Sequence, residues 1–488
     1  MRRYLCIHGH FYQPPRESPW TQEIEEQPSA RPYPNWNERI TDECYRPLAE
    51  RNVYSRVSFD FGPTLLQWLE RKQPQVYRAV TQADHESRKR FSNHGSAMAQ
   101  GYNHMILPLA NARDKVTQVV WGIRDFESRF GRKPEGMWLP ETAVDTETLD
   151  LLAKHGILFT VLAPHQALSV RFLPDGPWKE IGPEGVDPRR AYLASLPSGR
   201  TLRLFFYDGS LSRGVAFEGL AVDGALLAAR MGEVFTEEPS AARLVHVASD
   251  GETYGHHHKG GDRALEEALR RIEAQADVRL TNYGEFLERY PPLHEAKIVE
   301  NSSWSCPHGV GRWWSDCGCN SGGHSGWNQV WRTPLRNAFD WLRDTLAPLY
   351  EREAGALFKD PWAARDRAID LVLDPGPETR RRFFESQRAR PLSEQEEARA
   401  LKLLDLQHQL LLMYTSCGWF FDDVAGIEAV QVLRYAARAI ELAEEAFGRP
   451  FEGDFLEILG EARSNDPDKG DGRKIYESLV RPARAGRA

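Results

Sequence analysis

The sequence lacks long hydrophobic runs, lacks a long basic run and contains few cysteines. Its apolar stretches are all shorter than the roughly 20 residues that a membrane-spanning helix requires. The formal net charge of −8 disfavours nucleic acid or an anionic membrane surface as the main partner. Six cysteines in 488 residues are too few for a disulfide scaffold. These absences argue against a membrane-spanning, a nucleic-acid-binding or a small disulfide-rich protein.

The amino-terminal segment MRRYLCIHGHFYQPP has two arginines but only a few apolar residues before His8. A signal peptide requires a longer apolar stretch and a cleavage site of small residues. We therefore expect a cytoplasmic protein with neither a membrane nor a nucleic acid as its partner. A chain of 488 residues is too long for one ordinary core, so two or more domains are expected.

Short strand-like segments alternate with helical patterns through the first 300 residues. The predicted strands include YLCIH (4–8), ILFTVLA (157–163), LRLFFYD (202–208), RLVHVASD (243–250) and VRLTNYG (278–284). Apolar residues recur at helical spacing over 114–130 and 146–155. This alternation indicates parallel βαβ units, in which functional residues collect after the carboxyl ends of the strands. The sequence therefore predicts the α/β class, with a (β/α) barrel over residues 1–300.

The remaining sequence divides into a loop segment and a helical region. Residues 301–335 are rich in Trp, Gly, Cys, Ser and His, which is typical of a long ordered loop. Residues 336–488 contain three segments with apolar stripes at helical spacing. We expect an α-helical carboxy-terminal domain that completes the active-site cleft. The segment 173–200, rich in Pro and Gly, is interpreted as an excursion or lid.

Two carboxylates lie at the ends of strand-like segments. Glu141 ends GMWLPE, where Trp138 and Pro140 provide an apolar setting that shifts a pKa. Asp250 ends RLVHVASD and precedes a glycine turn. Cleavage of a glycosidic bond requires a proton donor and a carboxylate near the anomeric carbon, and these two acids satisfy that requirement. The alternative is that both are ordinary helix-capping or loop acids, as Glu252 also could be.

Five segments, in this order, resemble the signature of glycoside hydrolase family 57. They are HGHFYQPP (8–15), GYNHMILPL (101–109), GMWLPE (136–141), SDGETYG (249–255) and YTSCGWFFDD (414–423). The first carries an inserted Phe11 and Tyr12, and the last is similar to a helical segment of the family's branching enzymes. The resemblance implies a (β/α)7-type barrel followed by a helical domain. It also implies an α-glucan or oligosaccharide substrate, as in amylases, 4-α-glucanotransferases and branching enzymes.

The resemblance also implies a mechanism without a cofactor. Glu141 would be the nucleophile and Asp250 the general acid/base of a retaining double displacement. In retaining enzymes the two carboxyl groups lie about 5–6 Å apart. Neither role calls for a Lewis acid, so no metal is expected in catalysis.

Several histidines and tryptophans are candidates for binding the sugar. The resemblance implies that His10 and His104 hydrogen-bond sugar hydroxyls and that Trp419 stacks on a sugar ring, while the HGH spacing leaves His8 as an alternative to His10. Aromatic rings also suit the apolar faces of sugars, although core packing uses the same residues. The candidate substrate-binding residues are His8, His10, His104, Trp138, Trp313 and Trp419.

The loop segment contains a possible metal site at Cys306, His308, Cys317 and Cys319. Tetrahedral zinc takes such ligand sets, but structural sites usually have a spacer of two to four residues within each pair. Here each pair has a one-residue spacer, which would strain a single-metal site. The alternative is a glycine-turned loop with packed, reduced thiols.

Two other functions remain open on the sequence. A metal-dependent carbohydrate deacetylase would use His8, His10 and Asp250 as metal ligands. A non-catalytic glucan-binding protein would keep the cleft without turnover. The run His256–His258 is not expected to hold a metal, because consecutive residues point in different directions.

Overall fold

The structure is a computed structural model, and it describes residues 3–182, 185–235 and 243–485. Its strands are β1 (Arg3–Phe11), β2 (Ser58–Phe61), β3 (Ala97–Gln100), β4 (Met137–Trp138), β5 (Phe159–Leu162), β6 (Ala167–Phe172), β7 (Lys179–Glu180), β8 (Ala191–Ser195), β9 (Thr201–Phe206), β10 (Arg243–Asp250), β11 (Val278–Leu280) and β12 (His294–Ile298).

The α-helices fall into two sets along the chain. The first ten are α1 (Trp36–Ile40), α2 (Arg46–Glu50), α3 (Pro63–Lys72), α4 (Pro74–Arg90), α5 (Ala112–Phe130), α6 (Thr146–Lys154), α7 (Gly209–Phe217), α8 (Gly224–Glu233), α9 (Gly261–Glu273) and α10 (Tyr283–Arg289). The others are α11 (Arg332–Gly355), α12 (Pro361–Arg367), α13 (Ile369–Leu373), α14 (Pro377–Gln387), α15 (Glu394–Leu412), α16 (Cys417–Phe420), α17 (Ile427–Phe447), α18 (Glu452–Leu459), α19 (Gly472–Ile475) and α20 (Arg481–Ala485). Within the described ranges, none of these helices combines the length and apolar character that crossing a membrane requires.

Seven parallel strands form a barrel in the order β10-β1-β2-β3-β4-β5-β9. β4 and β5 meet through a parallel bridge between Gly136 and Phe159. Just after β9, the backbone N–H of Asp208 donates to the carbonyl oxygen of His246 in β10 at 2.9 Å, which closes the circle. Helices α3 to α10 connect or follow these strands. The predicted (β/α)7-type barrel, followed by helices in the carboxy-terminal region, is confirmed.

The central strand β1 shows why an almost continuous apolar run forms this part of the sheet. Tyr4, Leu5, Cys6 and Ile7 are each at most 1% exposed. A parallel strand is covered on both of its faces, so it does not need the alternation of apolar and polar residues that a half-exposed strand shows.

The helices end where glycine allows the chain to turn. α5 is followed by Gly131 and α6 by Gly156, with φ angles of 65° and 86°. These left-handed conformations are accessible to glycine at no steric cost. The start of α6 is capped by Asp145, whose side chain accepts a hydrogen bond from the backbone N–H of Thr148 at 2.7 Å.

A second sheet extends from β9 on the side away from β5. β8 pairs antiparallel with β9, and β12, β6 and β7 continue the sheet. The segment 173–200, interpreted from its composition as an excursion or lid, contributes β7 and β8 to this sheet. It is therefore in part an ordered extension of the sheet.

The chain forms two compact units. Unit 1 comprises Met1–Gln13, Glu25–Tyr102 and Phe126–Ser305, and unit 2 comprises Pro14–Ile24, Asn103–Asp125 and Cys306–Ala488. This division differs from the contiguous ranges 1–300, 301–335 and 336–488 that the sequence predicts.

Two early segments belong to unit 2, and each is hydrogen-bonded to its helices. Trp121 Nε1 donates to the carbonyl oxygen of Arg365 at 3.1 Å. Tyr435 Oη donates to the carbonyl oxygen of Pro15 at 3.2 Å. Within this unit α15 packs against α17. The start of α15 has a capping box, in which Ser393 and Glu396 satisfy each other's backbone N–H groups.

Candidate active site

The barrel brings polar residues from four neighbouring parts of its sheet together in unit 1, namely β1, β2, β10 and the segment after β4. In the parallel pairing, His10 of β1 lies opposite Asp250 of β10 and opposite Asp60 of β2. His8 lies opposite Ser58. Glu141 follows β4 on the same barrel. His10, Asp60, Asp250 and Glu141 lie near, at or after the carboxyl ends of their strands, where barrel enzymes carry their functional groups, whereas His8 lies within β1 and Ser58 begins β2.

Asp60 holds both histidines of the first motif. Its Oδ1 lies 3.0 Å from His8 Nε2, and its Oδ2 lies 2.8 Å from His10 Nδ1. The other ring nitrogen of His8 lies 3.0 Å from Ser58 Oγ. Both imidazoles stack on the indole of Trp138, with ring centroids 4.7 and 5.2 Å away. The two rings are therefore fixed in position and orientation.

The two histidines titrate in opposite directions although they share one carboxylate. Burial lowers the pKa of His8 and outweighs its hydrogen bond to Asp60. Burial also acts against the charged form of His10, but Asp60, Asp250 and Glu252 together outweigh it and raise its pKa to about 9. His10 is consequently a protonated imidazolium at neutral pH, surrounded by three carboxyl groups.

Glu141 has an unusual backbone conformation and is hydrogen-bonded to the last two residues of unit 1, Trp304 and Ser305. Its φ and ψ angles are 57° and 22°, in the left-handed region. Trp304 Nε1 donates to its Oε2 at 3.0 Å, and Ser305 Oγ donates to the same oxygen at 2.7 Å. The backbone N–H of Trp304 also donates to the Glu141 carbonyl oxygen at 3.1 Å. Such strained, over-determined positions cluster at functional sites.

The carboxyl groups of Glu141 and Asp250 are both shifted from their ordinary behaviour. Burial raises the pKa of Glu141, the charge of Asp250 raises it further, and the hydrogen bonds from Ser305 and Trp304 oppose the shift. Asp250 is an exposed residue, yet the surrounding protein displaces enough water to raise its pKa, with His10 acting in the opposite direction. A carboxyl that is both accessible and poorly solvated lies in a recess, as a proton donor to a bound substrate would.

Glu252 is a buried carboxyl group that interacts with Asp250 and His10. Its Oε1 accepts hydrogen bonds from the backbone N–H of Tyr12 at 3.0 Å and from Tyr45 Oη at 2.5 Å. Burial and the charge of Asp250 raise the pKa of Glu252 to about 8. The side chain is only 4% exposed, and its ionised form, present above about pH 8, favours the protonated form of His10.

Three predicted tryptophans do not offer a ring face to a ligand in this structure. Trp138, Trp313 and Trp419 are each 0% exposed. In unit 2, the Trp419 indole lies 4.6 Å from the Arg336 guanidinium and donates from Nε1 to the carbonyl oxygen of Arg332 at 3.2 Å. The sugar-stacking role predicted for Trp419 is corrected to a packing role, and the same holds for Trp313. Trp138 instead supports the two histidines.

Two other aromatic residues, Trp304 and Phe421, are more exposed to solvent than the three predicted tryptophans. Trp304 is half-buried in unit 1 and packs edge-on against Trp138, with ring centroids 5.2 Å apart. Phe421 in unit 2 is 39% exposed, as expected for one member of a run of consecutive aromatics.

His104 lies in unit 2 and is 1% exposed. Its φ angle is 54°, and its Nδ1 lies 2.6 Å from Ser416 Oγ. The backbone N–H of Ser416 donates to the His104 carbonyl oxygen at 3.0 Å. The second and fifth motifs of the sequence are thus joined, and the predicted contact of His104 with a sugar hydroxyl stays a prediction.

Of the three metal ligands that a deacetylase would need, His8 is engaged otherwise. Both ring nitrogens of His8 face Ser58 and Asp60, which leaves neither for a metal. His256 Nδ1 faces Glu43 while His258 Nε2 faces the carbonyl oxygen of Ala216, so the histidine run does not converge. Across the described ranges, the one cluster of three or more His, Cys, Asp or Glu residues with metal-ligand geometry is Cys306, His308, Cys317 and Cys319.

Asp60 is the functional residue that sequence reasoning missed. It lies in SFDFGP, where a single acid interrupts an apolar strand just before a Gly-Pro turn. An ionisable residue inside a short buried strand requires a buried partner, and this signal could have identified it.

Residues 6–298 match a family model described as glycosyl hydrolase family 57, and residues 327–487 match a model described as a domain of unknown function (DUF3536). Over 136 residues the chain is 26% identical to alpha-amylase 1 of Dictyoglomus thermophilum, a match that covers 27% of this chain and 19% of the amylase. The chain thus matches about a fifth of that relative's length.

Two solved structures share the fold over almost the whole chain. An exo-type maltose-forming amylase from Pyrococcus sp. ST04 has a TM-score of 0.71 at 16% identity, covering 100% of this chain and 94% of that chain. A GH57-type branching enzyme from Pyrococcus horikoshii has a TM-score of 0.60 at 15% identity, covering 94% of each chain. At these identities the similarity is one of fold.

Proposed function

This chain belongs to glycosyl hydrolase family 57, as its motifs predict, and we propose that it is a retaining glycoside hydrolase or transglycosylase acting on α-glucans. The observation that carries the proposal is the arrangement in unit 1. A hydrogen-bonded Glu141 and an accessible Asp250 lie at the carboxyl ends of two strands of one barrel and interact through their charges.

Glu141 is the proposed nucleophile. The two hydrogen bonds that it accepts from Ser305 and Trp304 favour its ionised form, which is the form that attacks an anomeric carbon. They also fix Oε2, so that rotation of the carboxylate does not compete with attack. The product of the attack is a glycosyl ester on Glu141, with inversion at the anomeric carbon.

Asp250 is the proposed general acid/base. Its raised pKa favours the protonated form that delivers a proton to the leaving glycosidic oxygen. In the second step the same carboxylate removes a proton from water or from a sugar hydroxyl, and attack on the ester restores the original configuration. Water as acceptor gives hydrolysis, and a sugar acceptor gives transfer.

His10 and Asp60 are proposed to position and neutralise the site. The His10 imidazolium offers a positive charge among Asp60, Asp250 and Glu252, which limits repulsion when Glu141 and Asp250 are both ionised. Its ring is held by Asp60 and Trp138, and we propose that it also hydrogen-bonds a sugar hydroxyl.

Product analysis on a panel of glucans tests this proposal. Maltoheptaose, amylose, a branched α-1,4/1,6-glucan and cellohexaose are each incubated with the enzyme, and products are separated by chromatography. Activity is expected on the α-glucans alone: new reducing ends indicate hydrolysis, and redistributed chain lengths or new α-1,6 linkages indicate transfer. Glu141→Gln is expected to abolish activity, whereas Glu147→Gln, on the exposed face of α6, keeps it.

Binding of the α-glucans without turnover, at high enzyme concentration and over long incubation, would instead identify a glucan-binding protein. Removal of acetyl groups from acetylated oligosaccharides, lost with a chelator, would identify a deacetylase. Either result contradicts the proposed reaction.

A further inference from the structure

Three thiols and one imidazole converge in the loop of unit 2 that starts at Cys306. Cys306 Sγ lies 3.8 Å from Cys317 Sγ and 3.7 Å from Cys319 Sγ. Cys319 Sγ lies 3.6 Å from His308 Nδ1. All four ligand atoms are within 4.8 Å of one another.

These distances fit a tetrahedral metal and do not fit disulfides. With zinc–sulfur bonds of about 2.3 Å, the edge between two sulfurs of a tetrahedron is about 3.8 Å. A disulfide requires sulfurs about 2.05 Å apart. The sulfur–sulfur separations of 3.7 and 3.8 Å therefore correspond to the spacing that one shared ion would impose.

Two turns bring the paired ligands together across one-residue spacers, which are Pro307 in the first pair and Gly318 in the second. Gly318 lies between Cys317 and Cys319 with a φ of 82°, and Gly309 follows His308 with a φ of 76°. The backbone N–H of Gly309 donates to the Cys306 carbonyl oxygen at 3.1 Å, which folds the first pair into a turn. The turn across Cys306–Gly309 and the left-handed Gly318 accompany ligand atoms that all lie within 4.8 Å of one another, so the one-residue spacers do not hold the ligands apart.

A buried positive charge faces this cluster. Arg332 is 0% exposed; burial and the charge of Arg312 lower its pKa, and Cys317, Cys319 and Asp422 act in the opposite direction. Its Nε and Nη1 have no hydrogen-bond partner among the described residues, while Nη2 donates to backbone carbonyls. Three thiolates, one neutral imidazole and one divalent ion would carry a net charge of −1, opposite in sign to the charge of the guanidinium.

We propose that Cys306, His308, Cys317 and Cys319 bind one Zn²⁺ ion. Thiolate and imidazole ligands in tetrahedral geometry suit zinc. Four protein ligands leave no open position for water or substrate, so the site is structural. The ion would stabilise the loop between its ligands. This loop is also held by α11, where Arg336 donates to the carbonyl oxygen of Trp313 at 2.9 Å and Thr333 donates to that of Trp314 at 2.8 Å. This site is independent of the proposed glycosidase chemistry.

Metal analysis of the purified full-length chain tests the proposal. The wild type is expected to contain about one zinc per chain after extensive dialysis. Cys317→Ser and Cys319→Ser should lose the metal and unfold at lower temperature, while Cys319→His should keep it. Cys417→Ser removes a cysteine of the same unit outside the cluster, and zinc content should stay at the wild-type level.

A measurement on the wild type avoids dependence on variants that fail to fold. Titration with an organomercurial in the presence of a zinc indicator should release zinc in step with modification of the cluster thiols. Reconstitution of the stripped chain with Co²⁺ should give thiolate-to-cobalt charge-transfer absorption. A chain that neither contains nor takes up zinc, that holds iron at these ligands, or that has these cysteines in disulfides overturns the proposal.

Discussion

Replacement of Asp60 by asparagine tests how the charge of His10 is maintained. Asp60→Asn keeps the shape and part of the hydrogen bonding but removes the negative charge that both histidines face. Because Asp60 is the first of the three carboxylates that raise the pKa of His10 to about 9, we expect this pKa to return toward its ordinary value of 6.5. The difference corresponds to about 3 kcal/mol.

The sign of the pH dependence follows from the raised pKa. A group that binds its proton more tightly in the folded state stabilises the fold fully below pH 6.5, and this contribution is lost as the pH rises through about 9. Asp60→Asn should therefore destabilise the barrel by about 3 kcal/mol at pH 6, which is about 6 °C in the unfolding midpoint. At pH 10 the loss should shrink to about 2 °C.

Asp84 provides a matched control in the same unit. It is 2% exposed and accepts from Arg132 Nη2 at 2.7 Å and from Nε at 2.8 Å. Because arginine stays charged at both pH values, Asp84→Asn should lower the midpoint equally at pH 6 and pH 10. Calorimetric midpoints of both variants at both pH values are the measurement. An equal loss for Asp60→Asn at pH 6 and pH 10 would refute the assignment of a charged His10.

Three further outcomes are expected. Ser305→Ala removes a hydrogen-bond donor that favours ionised Glu141, so the acidic limb of the pH–rate profile should move up by about one pH unit. An unchanged acidic limb would contradict the claim that Ser305 lowers the pKa of the nucleophile. Trp419→Ala should lower the free energy of unfolding by about 3–5 kcal/mol because it empties a buried site, whereas Phe421→Ala should change it little; equal effects contradict the packing role. Glu252 has a raised pKa of about 8, so its contribution makes the free energy of unfolding fall as the pH rises from about 4.5 to about 8. Glu252→Gln should therefore gain stability relative to wild type between pH 5 and pH 8, by roughly half of the 5 kcal/mol that the full pKa shift would give, as measured by urea unfolding.

Long, strongly patterned elements could be predicted from the sequence. RLVHVASD coincides with β10, and the helical spacing over 114–130 falls within α5. The sequence pattern does not predict β2 and β3, because each has only four residues and both are fully buried, so neither shows alternation. β8 and β12 depend on pairing with distant strands, which local pattern does not contain.

The candidate site likewise contains residues that local motifs predict and residues whose contacts depend on the tertiary fold. Glu141 and Asp250 could be predicted because each ends a strand-like motif, and family motifs supplied their expected roles. The bridge from Asp60 to His8 and His10 requires knowledge that β1 and β2 are neighbours in register. Burial of Trp419 could not be read from three consecutive aromatics, because the sequence shows that they diverge but not which one faces solvent.

Trapping the covalent intermediate is the most direct test of the central claim. Asp250→Asn is incubated with an α-maltosyl fluoride, whose leaving group departs without protonation by Asp250, and the protein is then digested and its peptides are analysed by mass spectrometry. We expect a maltosyl ester on Glu141 and no such ester in the Glu141→Gln, Asp250→Asn double variant. An ester on a different residue, or a Glu141→Gln single variant with wild-type turnover of α-glucans, would contradict it.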